Sequence, residues 1–409
     1  MPDYKIGIVG GGAAGLISAI AAAENGCHSV AVFESNVRCG TKILMSGGSR
    51  CNVTNQSVRP ENFFGGSRNF IKNVLNAFSD RSAVRFFEDL GVKLKIEASG
   101  KYFPADDKAS SVLNALLKKL EELNVKIYLS AKINNITFNE GLFTLASDKE
   151  TFRTEKVIVT TGGKSYPNTG SDGSGYNLVQ TFHHTLNSPF PALSPVLLDE
   201  PELTGLSGVT IPARLTITLN EKKHIESENS LLFTHFGISG PAALNISREV
   251  ERLKNDNIRL LINFIPQHNY ESFSRFLKEG IKNYSGNNVL SSLKGLIPSS
   301  LLETLFKLSG IPSDKKYYSL SKEEIKRLSQ VFTSYPLKFT GLRGFHQAEA
   351  TAGGVPLDEV KYQTMESKLQ KGLFLAGEIL DVDGLIGGYN FQWAWATGFV
   401  AGRSAAEEN

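Results

Sequence analysis

The apolar positions at the start of the chain predict a strand, a helix and a second strand. Ile6–Val9 and Val30–Phe33 are continuous apolar runs, as expected for parallel strands that are covered on both faces. The segment between them, Ala13–Glu24, is rich in alanine, and the Asn-Gly pair that follows it is a common helix stop. A strand, a glycine-rich turn, a helix and a strand within about 30 residues predict a βαβ unit.

The same alternation continues to about residue 188. Ser79 is a predicted cap for a helix that ends before Gly91, and the leucines from Leu113 to Leu123 recur at helical spacing. Short β-like runs follow, and Asn139-Glu140-Gly141 between the second and the third of them is typical of a turn. These runs are Val125–Leu129, Ile133–Asn139, Leu142–Ala146 and Lys156–Thr160.

The middle of the chain, 189–343, has a different pattern. Its front part is β-like, with alternating apolar residues in Ala213–Leu219 and a further run at Arg259–Phe264. From about residue 269 the pattern becomes helical. Ser321, with Glu324 three residues later, is a predicted capping box at the start of one of these helices.

The last stretch, 344–409, returns to a strand followed by a helix, at Leu373–Ala376 and Tyr389–Ala405. We therefore predict an α/β fold in which one doubly wound, Rossmann-like domain is built from both ends of the chain. The predicted domain boundaries are 1–188 and 344–409 for this domain, 189–268 for an inserted β-rich, barrel-like domain, and 269–343 for a small inserted helical domain.

Composition adds limits to this picture. The chain has 409 residues, of which 41% are hydrophobic and 21% charged, as in a globular protein. Its formal charge of +3 is too small to indicate nucleic acid as the main partner. No apolar run approaches the roughly 20 residues of a membrane span. The three cysteines, Cys27, Cys39 and Cys51, lack the spacing of a disulfide framework or a zinc site, so we expect no metal and a cytoplasmic location.

The turn after the first strand carries the clearest chemistry. Gly10, Gly12 and Gly15 form a G-x-G-x-x-G, which gives a tight turn, close approach to a pyrophosphate and close packing of helix on strand. The helix N-terminus then faces the phosphates. Glu34 ends the second strand, at the position where a carboxylate accepts hydrogen bonds from ribose hydroxyls. This pattern predicts a dinucleotide site for FAD or NAD, and the alternative is a glycine-rich turn that binds nothing.

Three later segments favour FAD. Val157–Gly163 resembles the strand and glycine segment that follows the small β-meander in two-dinucleotide-binding flavoproteins. Gly372–Glu378 resembles their second FAD signature, although Glu378 replaces the usual Asp and Ser367 stands where Thr is common. Gly387–Asn390 precedes the last helix, where glycines let the main chain lie against a flat ring and the helix N-terminus stabilises negative charge on a reduced flavin.

Two other segments contain candidate polar residues. Thr41–Asn52 is polar, rich in glycine and irregular in pattern, and Lys42, Ser46 and Arg50 in it are candidates to meet phosphates or the flavin edge. Cys51 suggests a redox thiol, but a plain buried cysteine fits its spacing better. In the inserted region, glycine and proline in Phe233–Pro241 predict a loop. His235 in that loop is the candidate catalytic acid–base residue, with a structural histidine as the alternative.

These motifs together resemble a family of bacterial FAD-binding flavoproteins that includes aminoacetone oxidase and a flavoprotein of bile-acid 7-dehydroxylation. The resemblance spans nearly the whole chain and rests on long irregular motifs in a fixed order. Besides Gly10–Gly15, these are Lys42–Asn55, Thr161–Pro167, Phe233–Pro241, Ala350–Val355 and Gly377–Gln392.

The resemblance implies a glutathione-reductase-like FAD domain of the two-dinucleotide-binding type, with a β-rich and a helical insert. It also implies that Ala14, Glu34, Lys42, the region of Lys132 and Ile133, Glu378 and Asn390 lie along FAD. The full predicted cofactor-binding set is Gly10, Gly12, Ala13, Ala14, Gly15, Glu34, Ser35, Thr41, Lys42, Ser46, Gly47, Lys132, Ile133, Thr161, Gly162, Gly377, Glu378, Gly388, Tyr389 and Asn390.

We expect an FAD-dependent oxidoreductase that transfers a hydride between flavin N5 and a small organic substrate, such as an amine or a hydroxy or keto compound, bound under the inserted domain. The electron acceptor, O₂ or another, is open, and NAD(P)H is an allowed transient reductant. One alternative is a flavoprotein that acts on RNA through the lysine-rich helical insert. Another is a non-catalytic module that uses FAD as a structural or redox-sensing ligand.

Overall fold

The structure is a computed structural model that describes residues 1–284 and 286–407. The chain forms two compact units. The first is Met1–Pro191 together with Ala348–Asn409, and the second is Ala192–Gln347. Both ends of the chain thus contribute to one unit. The further division of the second unit into a β-rich and a helical domain near residue 268 stays a prediction.

The N-terminal part of the first unit alternates strands and helices as the apolar pattern predicts. Its strands are β1 (Tyr4–Val9), β2 (Val30–Phe33), β3 (Thr54–Asn55), β4 (Phe63–Phe64), β5 (Leu94–Ile96), β6 (Lys101–Pro104), β7 (Lys126–Tyr128), β8 (Ile133–Asn139), β9 (Leu142–Ser147), β10 (Thr151–Val159) and β11 (Asn187–Ala192). Its helices are α1 (Ala13–Glu24), α2 (Thr41–Ser49), α3 (Arg68–Ala77), α4 (Asp80–Asp89), α5 (Ala109–Glu122) and α6 (Ser174–Gln180).

The second unit begins with strands and ends with helices. Its elements are β12 (Val196–Leu198), α7 (Pro201–Thr204), β13 (Thr210–Leu219), β14 (Lys222–Thr234), β15 (Gly237–Ser239), α8 (Gly240–Arg252), β16 (Ile258–Asn263), α9 (Tyr270–Asn283), α10 (Val289–Leu293), α11 (Ser299–Ser309), α12 (Lys322–Thr333), β17 (Tyr335–Leu337) and β18 (Phe339–Leu342). The chain then returns to the first unit with β19 (Ala350–Gly354), β20 (Leu373–Leu375), β21 (Asp383–Gly384) and α13 (Tyr389–Ala406).

The main sheet of the first unit is the frame for the site. Its strand order is β7-β2-β1-β10-β9-β8, and β20 also pairs with β10. Strand β10 pairs with β1 along one edge and with two strands along the other edge, where its first half pairs antiparallel with β9 and its second half pairs parallel with β20. Strands β7, β2, β1, β10 and β20 are all parallel to one another. The segments that follow their carboxyl ends therefore lie along one edge of the sheet, where ligands bind in open α/β sheets.

The first and last helices of the first unit pack against each other through small residues. A Cβ at Gly398 would overlap the carbonyl oxygen of Ala14, and a Cβ at Gly402 would overlap that of Ser18. The Ser18 hydroxyl donates hydrogen bonds to the carbonyl oxygens of Ala14 (2.7 Å) and Gly398 (2.9 Å). Both glycines lie one helical turn apart on α13, so the backbones of α1 and α13 can approach closely.

The second unit contains a seven-stranded sheet with the order β17-β16-β13-β14-β15-β12-β18. The two outermost strands, β17 and β18, are separated in the chain by Lys338 alone. The sheet must therefore curl until its edges meet, which gives the barrel-like form that the sequence predicts. The helical part follows β16, and Ser321 caps α12 in the predicted capping box with Glu324.

Two segments differ from the sequence-based expectation. Thr41–Ser49 forms α2 rather than irregular chain, but it is kinked, because Ser46 and the two glycines after it leave helical geometry. The predicted loop Phe233–Pro241 is wrong. Its residues instead end β14, form β15 and start α8, with Gly237 in a conformation where a side chain would overlap the carbonyl oxygen of Val196.

Candidate functional site

The glycine-rich turn at the carboxyl end of β1 is built by close backbone contacts. Gly10 has a φ of 109°, and a Cβ there would lie 2.6 Å from the carbonyl oxygen of Thr160. A Cβ at Gly15 would overlap the carbonyl oxygen of Gly10 itself. The Gly10 N–H donates to the carbonyl oxygen of Phe33 (2.8 Å), which ties the turn to β2. Only glycine fits at these two positions, so the turn requires Gly10 and Gly15.

The start of α1 faces open space. Gly12 is the N-cap, no side chain caps the helix, and no atom lies within 4 Å of a Cβ placed at Gly12. Ala13 and Ala14 form the first turn without a bulky or acidic side chain. Unpaired N–H groups and the positive end of the helix dipole are thus presented where an anion can approach them, which fits a pyrophosphate.

Glu34 lies at the carboxyl end of β2 and its residue is only 6% exposed. Its Oε2 accepts a hydrogen bond from the Gly11 N–H (2.8 Å). Its Oε1 accepts from the Asn36 N–H (2.8 Å), from Asn36 Nδ2 (2.9 Å) and from Ser35 Oγ (3.1 Å). A carboxylate offers about four acceptor positions. Oε2 uses one of its two here, so it retains capacity for a ribose hydroxyl.

A lysine and a glutamate from distant parts of the chain meet beyond this turn. Lys42 Nζ, from the first turn of α2, is 2.7 Å from Glu378 Oε2 and also donates to Ser165 Oγ (2.8 Å) and Ser171 Oγ (3.3 Å). Glu378 Oε1 accepts from Ser165 Oγ (2.6 Å) and from the Thr351 N–H (2.7 Å). Burial works against ionisation of Glu378, but Lys42 and these hydrogen bonds outweigh it and hold its pKa below the ordinary value.

The carboxyl end of β20 lies directly against the start of α1. A Cβ at Gly377 would be 2.9 Å from the Cβ of Ala14, and the Gly377 N–H donates to Thr397 Oγ1 of α13 (2.9 Å). The two glycine-containing signatures, almost the whole chain apart in sequence, are therefore neighbours in the fold.

The glycine pair before α13 packs against β3. Gly388 has a φ of 94°, and a Cβ there would lie 2.7 Å from Thr54 O and 2.9 Å from Asn52 Oδ1. Asn52 Oδ1 is buried without a hydrogen-bond partner among the described residues. The Asn390 side chain bonds to both the N–H (2.8 Å) and the carbonyl oxygen (3.0 Å) of Gly384. Asn390 thus holds its own loop, while Asn52 has an acceptor left for a ring N–H.

Other predicted site residues are placed as follows. Thr41 begins α2, Ser46 Oγ donates to the Ile43 carbonyl oxygen (2.9 Å), and Gly47 has a φ of 56° at the kink. The Tyr389 ring meets Phe63 edge-on, with ring centroids 6.0 Å apart.

Lys132 and Ile133 are also in the predicted set: Lys132 pairs with Asp172 (2.8 Å), and Ile133 is buried at the start of β8. The Thr161 hydroxyl is buried without a described partner, and a Cβ at Gly162 would lie 2.6 Å from Ser171 Oγ.

Three residues outside this group have other surroundings. Arg50 pairs with Glu97 (2.7 Å) and lies over the Phe103 ring, so it takes part in a surface ion-pair network. Cys51 is fully buried, and burial raises the pKa of its thiol to about 12. His235 lies in the second unit at an exposed turn between β14 and β15, beside the Phe236 ring. Its catalytic role stays a prediction.

Sequence reasoning missed the roles of Ser165 and Thr351. Both belong to motifs that carry the family resemblance, Thr161–Pro167 and Ala350–Val355, but no spacing rule links them to Glu378. Their shared signal is a small hydroxyl residue next to a strand end, which is too common to predict a contact.

Comparison with known proteins identifies the family. The family model described as HI0933-like protein Rossmann domain matches residues 4–404. The chain belongs to this family. It is an FAD-binding oxidoreductase with a Rossmann-type domain. The open helix start at Gly12, the buried Glu34 carboxylate and the unpartnered Asn52 Oδ1 fit this cofactor.

Relatives of nearly the same length have different names. The chain is 34% identical to a 3-dehydro-bile acid delta(4,6)-reductase of Clostridium scindens, over 98% of this chain and 99% of that protein. It is 32% identical to a ribosomal RNA dihydrouridine synthase of Haemophilus influenzae, over 98% of each chain. A ribosomal RNA dihydrouridine synthase of Escherichia coli is 33% identical, over 98% of this chain and 97% of that one.

Solved structures share the fold at low sequence identity. A 3-ketosteroid delta1-dehydrogenase of Sterolibacterium denitrificans has a TM-score of 0.52 at 11% identity, over 99% of this chain and 100% of that one. Quinol fumarate reductase FrdA of E. coli has a TM-score of 0.51 at 14% identity, over 98% of this chain and 70% of that one. Within residues 1–284 and 286–407, no helix has the length and apolar character needed to cross a membrane.

Proposed function

We propose that the chain is a reductase for a carbon–carbon double bond conjugated with a carbonyl group in a small organic substrate. One observation carries this proposal. Relatives at 32–34% identity over almost the full length bear names for two substrates that share this chemistry. A 3-oxo steroid with double bonds at positions 4 and 6 is a conjugated dienone, and the uracil ring is reduced at a double bond next to its own carbonyl.

The chemistry suits a flavoprotein. In a conjugated enone the β-carbon is electrophilic, so a hydride adds there and a proton adds at the α-carbon. Reduced FAD, when bound, supplies the hydride. The chain's own residues bind and orient the cofactor. The N-terminus of α1 and Glu34 hold the adenosine diphosphate half, and the Lys42–Glu378 pair keeps a fixed charge arrangement farther along the cofactor.

The test is a product assay on purified holoprotein. The protein is supplied with NADH or NADPH, or with a chemical reductant if neither reacts, and with a panel of probes. The panel contains a 3-oxo-4,6-diene bile acid, cyclohex-2-en-1-one, an unconjugated alkene steroid, a secondary alcohol and a primary amine. We expect saturation of conjugated probes only. Oxidation of the alcohol or the amine, with no enone reduced, would reject the proposal.

RNA is a second candidate substrate, favoured by the names of the two dihydrouridine synthase relatives and by local charge. The helical stretch 269–343 contains twelve Lys and Arg against six Asp and Glu, a net charge of +6, whereas the whole chain has +3. Such a stretch can neutralise phosphates, and binding of that kind weakens steeply with salt.

The two candidates separate in one comparison. The reduced holoprotein is incubated at low and moderate salt with protein-free ribosomal RNA, and the nucleosides are analysed by mass spectrometry. A two-hydrogen gain on uridine at defined positions favours RNA. Replacing Lys278, Lys282, Lys326 and Arg327 together with Gln would then abolish that gain without changing reduction of a small enone. If no RNA binds at low salt, the RNA candidate is rejected and only the small-molecule function remains.

A further inference from the structure

The donors of the Lys42 ammonium group are all directed at protein acceptors. An ammonium group carries three N–H donors and no acceptor. Lys42 Nζ lies 2.7 Å from Glu378 Oε2. It also lies 2.8 Å from Ser165 Oγ and 3.3 Å from Ser171 Oγ. The sequence alone makes Lys42 a candidate to meet a phosphate, but in the structure each of its three donors already has an acceptor.

Glu378 keeps an acceptor position that Lys42 lacks as a donor. A carboxylate offers about four acceptor positions. Oε1 accepts from Ser165 Oγ (2.6 Å) and from the Thr351 N–H (2.7 Å), and Oε2 accepts from Lys42 (2.7 Å). These three donors leave one position on Oε2, and the Glu378 side chain is still 19% exposed. Glu378 can therefore accept one hydrogen bond from a hydroxyl group of the cofactor.

Thr351 fixes the segments that carry this network. Its Oγ1 accepts hydrogen bonds from the Lys164 N–H (2.8 Å) and the Ser165 N–H (3.0 Å), which ties the turn after β10 to β19. Its own N–H holds Glu378 Oε1 (2.7 Å). The Glu378 carboxylate thus cannot turn away from Lys42 without losing hydrogen bonds to two other segments of the chain.

The network lies beside the place where the pyrophosphate is expected. A Cβ at Gly377 would be 2.9 Å from the Cβ of Ala14, in the first turn of α1. A Cβ at Gly162 would be 3.9 Å from Glu378 Oε2. The pyrophosphate of FAD is negatively charged, and like charges repel strongly in a partly buried site, where the effective dielectric constant is low. A Glu378 carboxylate without a cation beside it would therefore oppose cofactor binding.

We propose that Lys42 is a positioning residue that neutralises Glu378 beside the anionic cofactor and does not bind the pyrophosphate itself. In this arrangement Glu378 receives a cofactor hydroxyl group, while the phosphates are left to the N-terminus of α1. The proposal rests on FAD binding. It does not depend on the reductase function, because neutralisation is required before any substrate is present.

The test is a mutant cycle on apoprotein, with the dissociation constant of FAD measured by flavin fluorescence quenching. We expect Lys42→Met to bind FAD about 100-fold more weakly, because it leaves the carboxylate unpaired. Glu378→Gln and the double variant should both bind within about fivefold of the wild type. Lys119→Met is the matched control, since Lys119 pairs with Glu24 (2.8 Å) at a similar exposure, 26% against 28% for Lys42. It should bind normally.

A phosphate ligand would give a different pattern. Removal of such a lysine costs the same affinity whether or not Glu378 is charged, so Lys42→Met and the double variant would be equally weak. That result would overturn the proposal. If Lys42→Met does not fold, as judged by Tm and near-UV circular dichroism, the comparison of Glu378→Gln with the double variant decides. Equal affinities support neutralisation, and an approximately 100-fold weaker double variant contradicts it.

Salt separates charge repulsion from a defect in packing. Repulsion between Glu378 and the pyrophosphate is screened by added ions, whereas a packing defect is not. Between about 0.02 and 0.5 M NaCl, the affinity of Lys42→Met for FAD should rise at least about threefold, and that of Lys119→Met should not rise. A loss in Lys42→Met that salt leaves unchanged would reject the electrostatic role. No enone is used in these measurements, so their outcome and that of the reductase assay are independent.

Discussion

At the scale of single residues, Glu34 has a structural role in the fold and a predicted role in binding the cofactor. Its carboxylate receives four hydrogen bonds from protein groups, which join the glycine-rich turn to the segment after β2. It still has acceptor capacity on Oε2, on the side of the Gly11 N–H. A neutral amide in its place keeps the shape but loses the charge-assisted hydrogen bonds, which are worth more than neutral ones.

We therefore predict that Glu34→Gln binds FAD about 10- to 100-fold more weakly, because about 1.5–3 kcal/mol is lost with a charged hydrogen bond. The dissociation constant is measured by flavin fluorescence quenching on apoprotein. Glu140→Gln, at an exposed turn between β8 and β9, is the control and should bind as the wild type does. Equal affinity of both variants would contradict the ribose role of Glu34.

The cysteines give a second prediction at this scale. Burial raises the pKa of Cys39 and of Cys51 to about 12, with the Glu34 charge adding to the effect at Cys39. A thiol with so high a pKa stays protonated at pH 8 and is a poor nucleophile. Neither cysteine should react with Ellman's reagent in native protein, and both should react after unfolding in guanidinium. Fast native labelling of Cys51 would revive a redox role.

At the scale of elements, the contact between α1 and α13 fixes the position of the helix that begins at the glycine-rich turn. The helix that starts at the glycine-rich turn packs along its length against the chain's last helix, through Gly398 and Gly402. The small residues on α13 were visible in the sequence as a glycine pair four apart, but their partner was not, because no local rule states which helix two glycines face.

Gly402→Ala should therefore disturb cofactor binding from a distance. The added methyl group would overlap the Ser18 carbonyl oxygen and force α13 away from α1. We expect a lower Tm and reduced FAD content. Gly286→Ala is the matched control, since no atom lies within 4 Å of a Cβ there, and it should change neither quantity. A normal Tm and full FAD content in Gly402→Ala would show that the helices can separate freely.

In the second unit, α8 is held by a buried charge. Glu249, with a side chain 6% exposed, contacts Arg248 (2.9 Å), Arg252 (2.6 Å) and His224 (2.9 Å). Burial raises its pKa, but hydrogen bonds from Arg252 and His224 and the arginine charges outweigh this and lower it to about 2. Because the folded pKa lies below the unfolded one, this stabilisation is complete above about pH 4.5 and is lost as the pH falls towards 2.

Glu249→Gln should lower the free energy of unfolding of this region by about 3 kcal/mol at pH 7, as expected when a buried ion pair loses one partner. The difference from wild type should shrink as the pH falls from 4.5 to 2. Hydrogen exchange of the backbone amides of α8 and β14 in the full chain measures this difference in the free energy of unfolding. Glu251→Gln, which removes an exposed ion pair with Lys254, should cost less than about 1 kcal/mol. An equal effect of both substitutions at pH 7 would contradict the stabilising role of the buried Glu249 carboxylate.

At the scale of the whole molecule, the sequence predicted the parts that obey local rules. The βαβ unit, the capping box at Ser321 and the final helix follow from periodicity and caps, and they appear at nearly the predicted residues. The edge where the strands end was also predictable, since parallel strands place their carboxyl ends together. The cofactor followed from motifs along this edge.

What the sequence could not provide are contacts between remote segments. The bridge from Lys42 to Glu378 and the hydrogen bonds that Thr351 makes with the turn after β10 depend on which strands become neighbours in three dimensions. The helical turns of Thr41–Ser49 were missed because Gly47 and Gly48 interrupt the helical pattern, and in the structure these two glycines form the kink of α2. Motifs that lie along one segment are therefore visible in the sequence, and contacts that join remote segments are not.

The central claim is that this flavoprotein delivers electrons to a double bond conjugated with a carbonyl. Its most direct test is anaerobic mixing of photoreduced holoprotein with increasing amounts of a 3-oxo-4,6-diene bile acid, with flavin absorbance followed in a stopped-flow instrument. We predict that oxidised flavin returns in proportion to probe, one flavin for each double bond saturated, and that the matching saturated ketone has no effect. Flavin that stays reduced with this probe, with cyclohex-2-en-1-one and with ribosomal RNA, yet reoxidises normally in air, would contradict the claim.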